Sequence, residues 1–230
     1  MIIPAYNEGE NIERVVTELT EFTSSLGDRD YVIDYVVVND GSKDNTAFIC
    51  RQKGYNLVDL PINLGLAGAF QTGMKYAFYN GYDYAVQYDG DGQHDVRYVP
   101  VMYESARNEG LDICIGSRFV TEKKPGSMRM LGSNIIAFCI KLTTGKTIKD
   151  PTSGMRMFNK AMIEKLARGM NLGPEPDTVA FLMRHGAKVG ECQVSMRERV
   201  AGESYLNMFS SVKYMYHICS SILIAQWFRG

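Results

Sequence analysis

The stretch Asp89-Gly90-Asp91-Gly92-Gln93-His94-Asp95 places two carboxylates at i and i+2, spaced by glycines. Both can face one small cation. Oxygen ligands of this kind suit Mg2+ or Mn2+. Gln93 could add a neutral oxygen, or His94 a nitrogen. Mg2+ is often held by one or two carboxylates plus the phosphate oxygens of a substrate, which fits a diphosphate ligand. A calcium EF-hand is poorly supported, because its long loop ending in Glu is absent. The plain alternative is a solvated acidic turn, since DxD alone is common.

Two further polar clusters carry candidate binding groups. In Asn39-Asp40-Gly41-Ser42-Lys43-Asp44-Asn45-Thr46, Asp40 could accept hydrogen bonds from a nucleobase edge. In Pro4-Ala5-Tyr6-Asn7-Glu8, Glu8 could hold a ribose hydroxyl. Taken alone, the first of these is an ordinary polar turn between strand and helix. Gly65, Gly68 and Gly73 match neither GxGxxG nor the phosphate loop, so a dinucleotide or P-loop reading fails.

These clusters need elements to position them. Hydrophobic spacing and β-branched runs predict strands at 1–4, 31–39, 57–60, 82–88 and 111–115. Helices are expected at 10–26, from Ser42 or Asp44 to 53, at 68–79 and at 99–108. Strands separated by helices mean right-handed crossovers and a mainly parallel sheet. Ligands of such sheets sit beyond the carboxyl ends of the strands. All three polar clusters follow a predicted strand and therefore converge on one rim. After Arg118 the texture changes. Residues 121–127 read as a loop and candidate lid, 130–142 as a helix, 149–154 as a turn and 155–158 as a strand. Helices follow at 160–168 and 177–185, then a strand at 188–197, a loop or helix entry at 199–207 and a final helix at 208–227.

Composition narrows the class. Lys plus Arg total 25 and Asp plus Glu 26, so no basic excess supports a nucleic-acid partner. A 45% hydrophobic and 22% charged chain folds rather than staying disordered. No long repeat points to a solenoid. The five cysteines are scattered, which predicts reduced core thiols rather than a zinc or disulfide framework. The longest apolar run, 135–140, is far below the roughly 20 residues of a membrane span. The chain enters its first strand without a signal-peptide leader, so a cytoplasmic location is expected. No linker divides residues 1–230, which are expected to form one domain.

The segments IPAYNE (3–8), VVVNDGSKDNT (36–46), NLGLAGAFQTGMKYA (63–77), YDGDGQHD (88–95) and IGSRFV (115–120) occur in an order that resembles family 2 glycosyltransferases with the GT-A fold. The branch most resembled is that of polyprenol- and dolichol-phosphate sugar transferases, over nearly the whole chain. The resemblance implies a Rossmann-like α/β sheet flanked by helices. Residues 1–118 would bind a nucleotide-diphosphate sugar, a UDP-sugar before a GDP-sugar, and 119–230 would serve the acceptor. Pro4, Tyr6, Glu8, Asp40, Gly68, Asp89, Gly90, Arg129, Arg199 and Ser204 would line the donor and its phosphates. Asp89 and Asp91, with Gln93 as a third ligand, would hold Mg2+ or Mn2+, placing Asp91 at the catalytic centre. Arg118 and Arg129 match the family's position for steering an acceptor phosphate. Arg156, Arg197 and Arg199 are also available. Inversion at the sugar is implied as well.

Two departures matter. In Gly173-Pro174-Glu175-Pro176-Asp177-Thr178 an acidic pair is split by Pro176, with Arg184 downstream. Family members with hydroxyl acceptors place a general base here, because a hydroxyl must lose a proton. Asp177 is the candidate base, with Glu175 second, although Asp177 also suits a helix N-cap. The membrane-spanning helices that often follow the branch's catalytic domain are not in this sequence. Residues 199–204 resemble the family's Arg-x-x-Gly-x-Ser stretch and suggest a lid. The final helix could pack on the core, pair with a second copy or lie on a membrane surface. Two other classes compete. A nucleotidyltransferase would want a Gly-rich basic loop after the first strand, which residues 4–8 are not. A catalytically dead nucleotide-sugar binder would not need an intact DGDGQHD.

Overall fold

The computed structural model describes residues 1–126, 128–170, 172–197, 208–225 and 228, with backbone alone at 128, 129 and 208–211. The elements in chain order are β1 (Ile2–Ala5), α1 (Ile12–Ser25), β2 (Val36–Asn39), α2 (Thr46–Gln52), β3 (Leu57–Asp59), α3 (Gly65–Tyr79), β4 (Tyr84–Gln87), α4 (Tyr98–Glu109), β5 (Ile113–Ser117), α5 (Met128–Thr144), β6 (Arg156–Asn159), α6 (Lys160–Arg168), α7 (Pro176–Arg184), β7 (Val189–Gln193) and α8 (Met208–Leu223).

The strands form one sheet in the order β3-β2-β1-β4-β6-β5-β7. β1, β2, β3 and β4 are parallel neighbours, as are β5 and β7, while β6 runs antiparallel between β4 and β5. Both faces are covered, which is why β1 and β2 read as near-continuous apolar runs rather than alternating ones. Side chains alternate across the pleat. Ile2, Val36 and Val38 pack with α3, α5, α6, α7 and α8 on one face. Ile3, Ala5 and Val37 pack with α1 and α4 on the other. Each such Val or Ile side chain, when fully buried, stabilises the fold by roughly 1.5–3 kcal/mol. α1 buries Ile12, Val15, Val16 and Leu19 along one stripe, as its periodicity predicts.

Every predicted element within the described residues is present, with shifted ends. The strand expected at 31–39 is ordered as strand only over Val36–Asn39, because its ladder to β1 starts at the register Ile2↔Val36. The one expected at 82–88 is confined to Tyr84–Gln87, and the one at 188–197 to Val189–Gln193. The strand expected at 111–115 runs two residues further, to Ser117. α3 starts three residues early, at Gly65. The N-cap of α7 is Glu175, so Asp177 lies inside the first turn rather than at the cap.

Pro4 has a structural consequence for the site. β1 and β4 pair at Ile2↔Gln87, with Tyr88 N–H donating to Ile2 O at 2.9 Å. The next rung would need an N–H from residue 4, and proline has none. The ladder stops there, and the chain leaves the sheet as Asp89-Gly90-Asp91.

Candidate active site

Four parallel strands end at one rim: β1 before Tyr6, β2 before Asp40, β4 before Asp89 and β5 before Arg118. The antiparallel β6 begins at the same rim with Arg156. The loops after β1 and β2 are locked together. Asn7, at φ 56°, adopts the left-handed conformation that Asn tolerates. Its Oδ1 accepts from Lys43 N–H at 2.8 Å and its N–H donates to Ser42 Oγ at 2.9 Å. Glu8 N–H donates to Thr46 Oγ1 and Gly9 N–H to Asp44 Oδ2, each at 2.9 Å. Burial pushes the Asp44 carboxyl up, but hydrogen bonds from Thr46 and Gly9 outweigh it and hold it below the usual carboxylate range.

Asp40 is 3% exposed and takes a hydrogen bond from Leu64 N–H on Oδ1 at 2.7 Å. Its neighbour Gly41 has φ +64°, and a Cβ there would lie 2.6 Å from the backbone of Ile62 and Asn63. Glycine is required at that approach. Glu8 is half-buried, and its Oε2 accepts from Asn11 Nδ2 at 2.8 Å. Tyr6 is half-buried at the end of β1. In the first turn of α3, Gly68 leaves the room that Leu64 occupies.

On the acidic turn 89–95, a Cβ at Gly90 would approach Pro4 O at 3.1 Å. The turn therefore lies directly against β1. Asp91 is 6% exposed and its Oδ1 accepts from Gln93 N–H at 3.0 Å. The Asp89 side chain is 34% exposed, with Oδ2 3.1 Å from Nε2 of the buried His94. Burial raises the Asp89 carboxyl, while His94, Gln87 and Arg156 together hold it below the ordinary range. His94 thus stands where it can orient Asp89. Gly154, from the turn before β6, lies so close that a Cβ would sit 2.3 Å from Asp89 Oδ2. Gln93 is half-buried, and its carbonyl accepts from Arg197 N–H at 2.8 Å.

These donors fit a hard cation held in part by substrate. Asp89 and Asp91 offer carboxylate oxygens on one glycine-bounded turn. Among the described residues no group of three or more His, Cys, Asp or Glu gathers as metal ligands. An ion here would complete its shell with phosphate oxygens, the usual arrangement for Mg2+.

Arg118 is held bidentate by Asp150, with Nε to Oδ2 at 2.7 Å and Nη2 to Oδ1 at 2.8 Å. Asp150 is fully buried, and Arg118 keeps 18% side-chain exposure. Burial raises the Asp150 carboxyl, but Arg118 more than offsets it and holds it low. Arg197 pairs with Glu18 on α1 and with Asp95, which anchors the segment after β7 on the acidic turn. Glu175 is half-buried. Asp177 is 4% exposed, and its Oδ2 accepts from Ser221 Oγ of α8 at 2.6 Å. Arg129 lies in the first turn of α5, and its side chain is outside the described part. Arg199 and Ser204 lie outside the described residues.

The structure thus brings Glu8, Asp40, Asp89, Asp91 and Arg118 to one rim and turns Asp177 toward α8. Sequence reasoning missed Asp150 and Gly154. Both sit in the DPTSG turn, whose Asp-Pro and Gly read as turn formers and conceal a second role. Arg156 was one arginine among several, because burial leaves no local mark.

Residues 1–167 match the family described as Glycosyl transferase family 2. A UDP-N-acetylglucosamine--dolichyl-phosphate N-acetylglucosaminyltransferase of Methanococcus voltae is 30% identical over 187 residues, 73% of this chain and 71% of that protein. A dolichol-phosphate mannosyltransferase of Pyrococcus furiosus is 30% identical over 95% of this chain and 62% of its own length. Among solved structures, glucosyl-3-phosphoglycerate synthase from Mycobacterium tuberculosis in complex with UDP superposes with a TM-score of 0.70 at 16% identity, covering 98% of this chain and 78% of that one. With the acidic turn at the end of β4, the interlocked β1 and β2 loops and a GT-A sheet carrying them, the chain belongs to glycosyl transferase family 2 and is a glycosyltransferase.

Proposed function

We propose that the chain transfers a sugar from a nucleotide-diphosphate sugar, UDP-linked rather than GDP-linked, to a polyprenyl phosphate or lipid-linked saccharide, with inversion. The observation that carries this reading is the convergence of Asp40, Glu8, Asp89 and Asp91 on adjacent strand ends, with the acceptor-side Arg118 at the same rim. The names of the relatives above support the lipid-phosphate acceptor. The related synthase has been solved with Mn2+ and UDP together, which supports the donor.

In this reading residues 1–118 hold the donor and 119–230 serve the acceptor. Asp40 and Glu8 hold the nucleoside. Asp89 and Asp91, with Gln93, would hold Mg2+ or Mn2+, which supplies charge neutralisation to the departing diphosphate. Arg118, fixed by Asp150, faces the acceptor phosphate. A phosphate oxygen attacks the anomeric carbon, the bond from that carbon to the diphosphate breaks, and the nucleoside diphosphate leaves. An ionised phosphate needs no base. Asp177, buried against Ser221, is placed better for fastening α8 than for taking a proton, which favours this acceptor over a hydroxyl.

Contact with a membrane surface belongs to the same proposal. Among the described residues no helix is long and apolar enough to cross a membrane. Yet α5 exposes Leu131, Ile135, Phe138 and Leu142 at helical spacing, and α8 exposes Val212, Tyr216 and Leu223. Segment 119–149 carries Lys123, Lys124, Arg129, Lys141, Lys146 and Lys149 against Glu122 alone. An apolar stripe beside basic residues suits an anionic lipid surface.

The test is calorimetric titration with UDP and with GDP, each with and without Mn2+, on the intact chain and on Asp91→Asn. The expected result is UDP binding that requires both Mn2+ and Asp91. Equal binding with and without Mn2+, or by the variant, would overturn the donor site.

A further inference from the structure

Arg156 is 2% exposed and opens β6 opposite Gln87 of β4 and Ile115 of β5. Its Nη1 donates to Pro174 O and its Nη2 to Pro151 O, the latter at 2.7 Å. Those carbonyls belong to two different turns. Pro151 lies between Asp150, which holds Arg118, and Gly154, which abuts Asp89. Pro174 precedes Glu175 and Asp177. Among the described residues, Nε of Arg156 has no hydrogen-bond partner, and neither has Oε1 of the facing Gln87. Burial works against the guanidinium charge and prevails, while Tyr214, Glu175, Asp150 and Asp89 around it work in its favour. A buried charge whose bonds go to backbone carbonyls is costly to keep.

The geometry points to Arg156 as a positioning residue of the transfer reaction: its fork ties the turn 150–154, whose Gly154 abuts Asp89, to the turn 173–177. Its role in turnover rests on the phosphate-acceptor reading above. The guanidinium shape is needed, because two carbonyls on separate turns are met by one planar fork. A lysine ammonium keeps the charge and loses the fork. The two contributions are therefore separable.

The test compares Arg156→Lys and Arg156→Met with the wild-type full chain in three measurements. These are UDP affinity in Mn2+, kcat and KM for sugar transfer to a polyprenyl phosphate in detergent, and amide hydrogen exchange. The reporting amides are Ser153, which donates to Asp150 O, and Thr178, which donates to Glu175 O. In Arg156→Lys we expect UDP affinity and donor KM to stay near wild type, exchange at both amides to quicken, and kcat to fall roughly 10- to 100-fold. In Arg156→Met, which loses the fork and the charge together, we expect the same quickened exchange and a fall in kcat at least as large. Unchanged exchange and kcat in both variants would overturn the inference, as would a loss of thermal stability with affinity, exchange and kcat unmoved. A wild-type chain that transfers no sugar overturns the acceptor reading instead. The exchange arm then still decides the case of Arg156, and the Lys variant carries the test if the Met variant does not fold.

Discussion

Asp177 lies in the first turn of α7 with its carboxylate against Ser221 of α8. Asparagine keeps an oxygen for that hydroxyl and loses the charge and the capacity to act as a base. With a polyprenyl phosphate acceptor, Asp177→Asn should therefore change kcat by less than about threefold, whereas a general base would cost ~10²–10⁴. Steady-state transfer assays at neutral pH separate the two. Asp89 is governed from a different direction. Its oxygen lies against His94 on one side and faces the α-carbon of Gly154 on the other. A methyl group at 154 must displace that carboxylate, so Gly154→Ala should weaken Mn2+-dependent UDP binding by ~10–100-fold. Calorimetry with UDP and Mn2+ checks this. Unchanged affinity would mean that the turn yields and Asp89 does not.

The rim is assembled from strand ends, but the Arg118 side of it depends on a turn. The 150–154 turn fixes Arg118 through Asp150, places Gly154 beside Asp89 and gives Pro151 O to Arg156. The Asp150 carboxyl lies below the usual carboxylate range in the folded chain. A lowered folded-state pKa stabilises above the unfolded value, near 4, and that contribution is lost as pH falls through the folded value. Asp150→Asn should thus destabilise at pH 7 by about 3 kcal/mol, because it leaves Arg118 beside a neutral amide in a largely buried pair. The deficit should shrink as pH is lowered below 4. Thermal melts of both proteins across pH 3–8 test the sign. A deficit that grows toward acid would contradict it.

Across the whole molecule, β6 from the second half of the chain lies between β4 and β5, so the two halves of the chain share one sheet. α5 and α8 close one face of that sheet and carry the exposed apolar stripe. If the stripe meets lipid, Phe138→Ser combined with Leu142→Ser should reduce co-sedimentation with anionic vesicles by tenfold or more, on the order of the apolar area lost. Raising ionic strength should weaken the wild-type interaction as well. Unchanged sedimentation of the double variant would remove the membrane from the proposal. Pattern along the chain was enough to place β1 to β4, their helices, the three polar clusters at their ends and the family. Periodicity, turn formers and the acidic turn are local signals, carried by residues close together in sequence. Strand limits were less legible, since a strand ends where its neighbour stops pairing, as Val36 shows beside Ile2. The partnership of Arg118 with Asp150, the closeness of Gly154 to Asp89, the burial of Arg156 and the turn of Asp177 toward Ser221 came only from the tertiary structure. Each joins residues far apart in the chain or separated by a turn, and a charge or a glycine looks the same in sequence whether water or another strand end lies beside it.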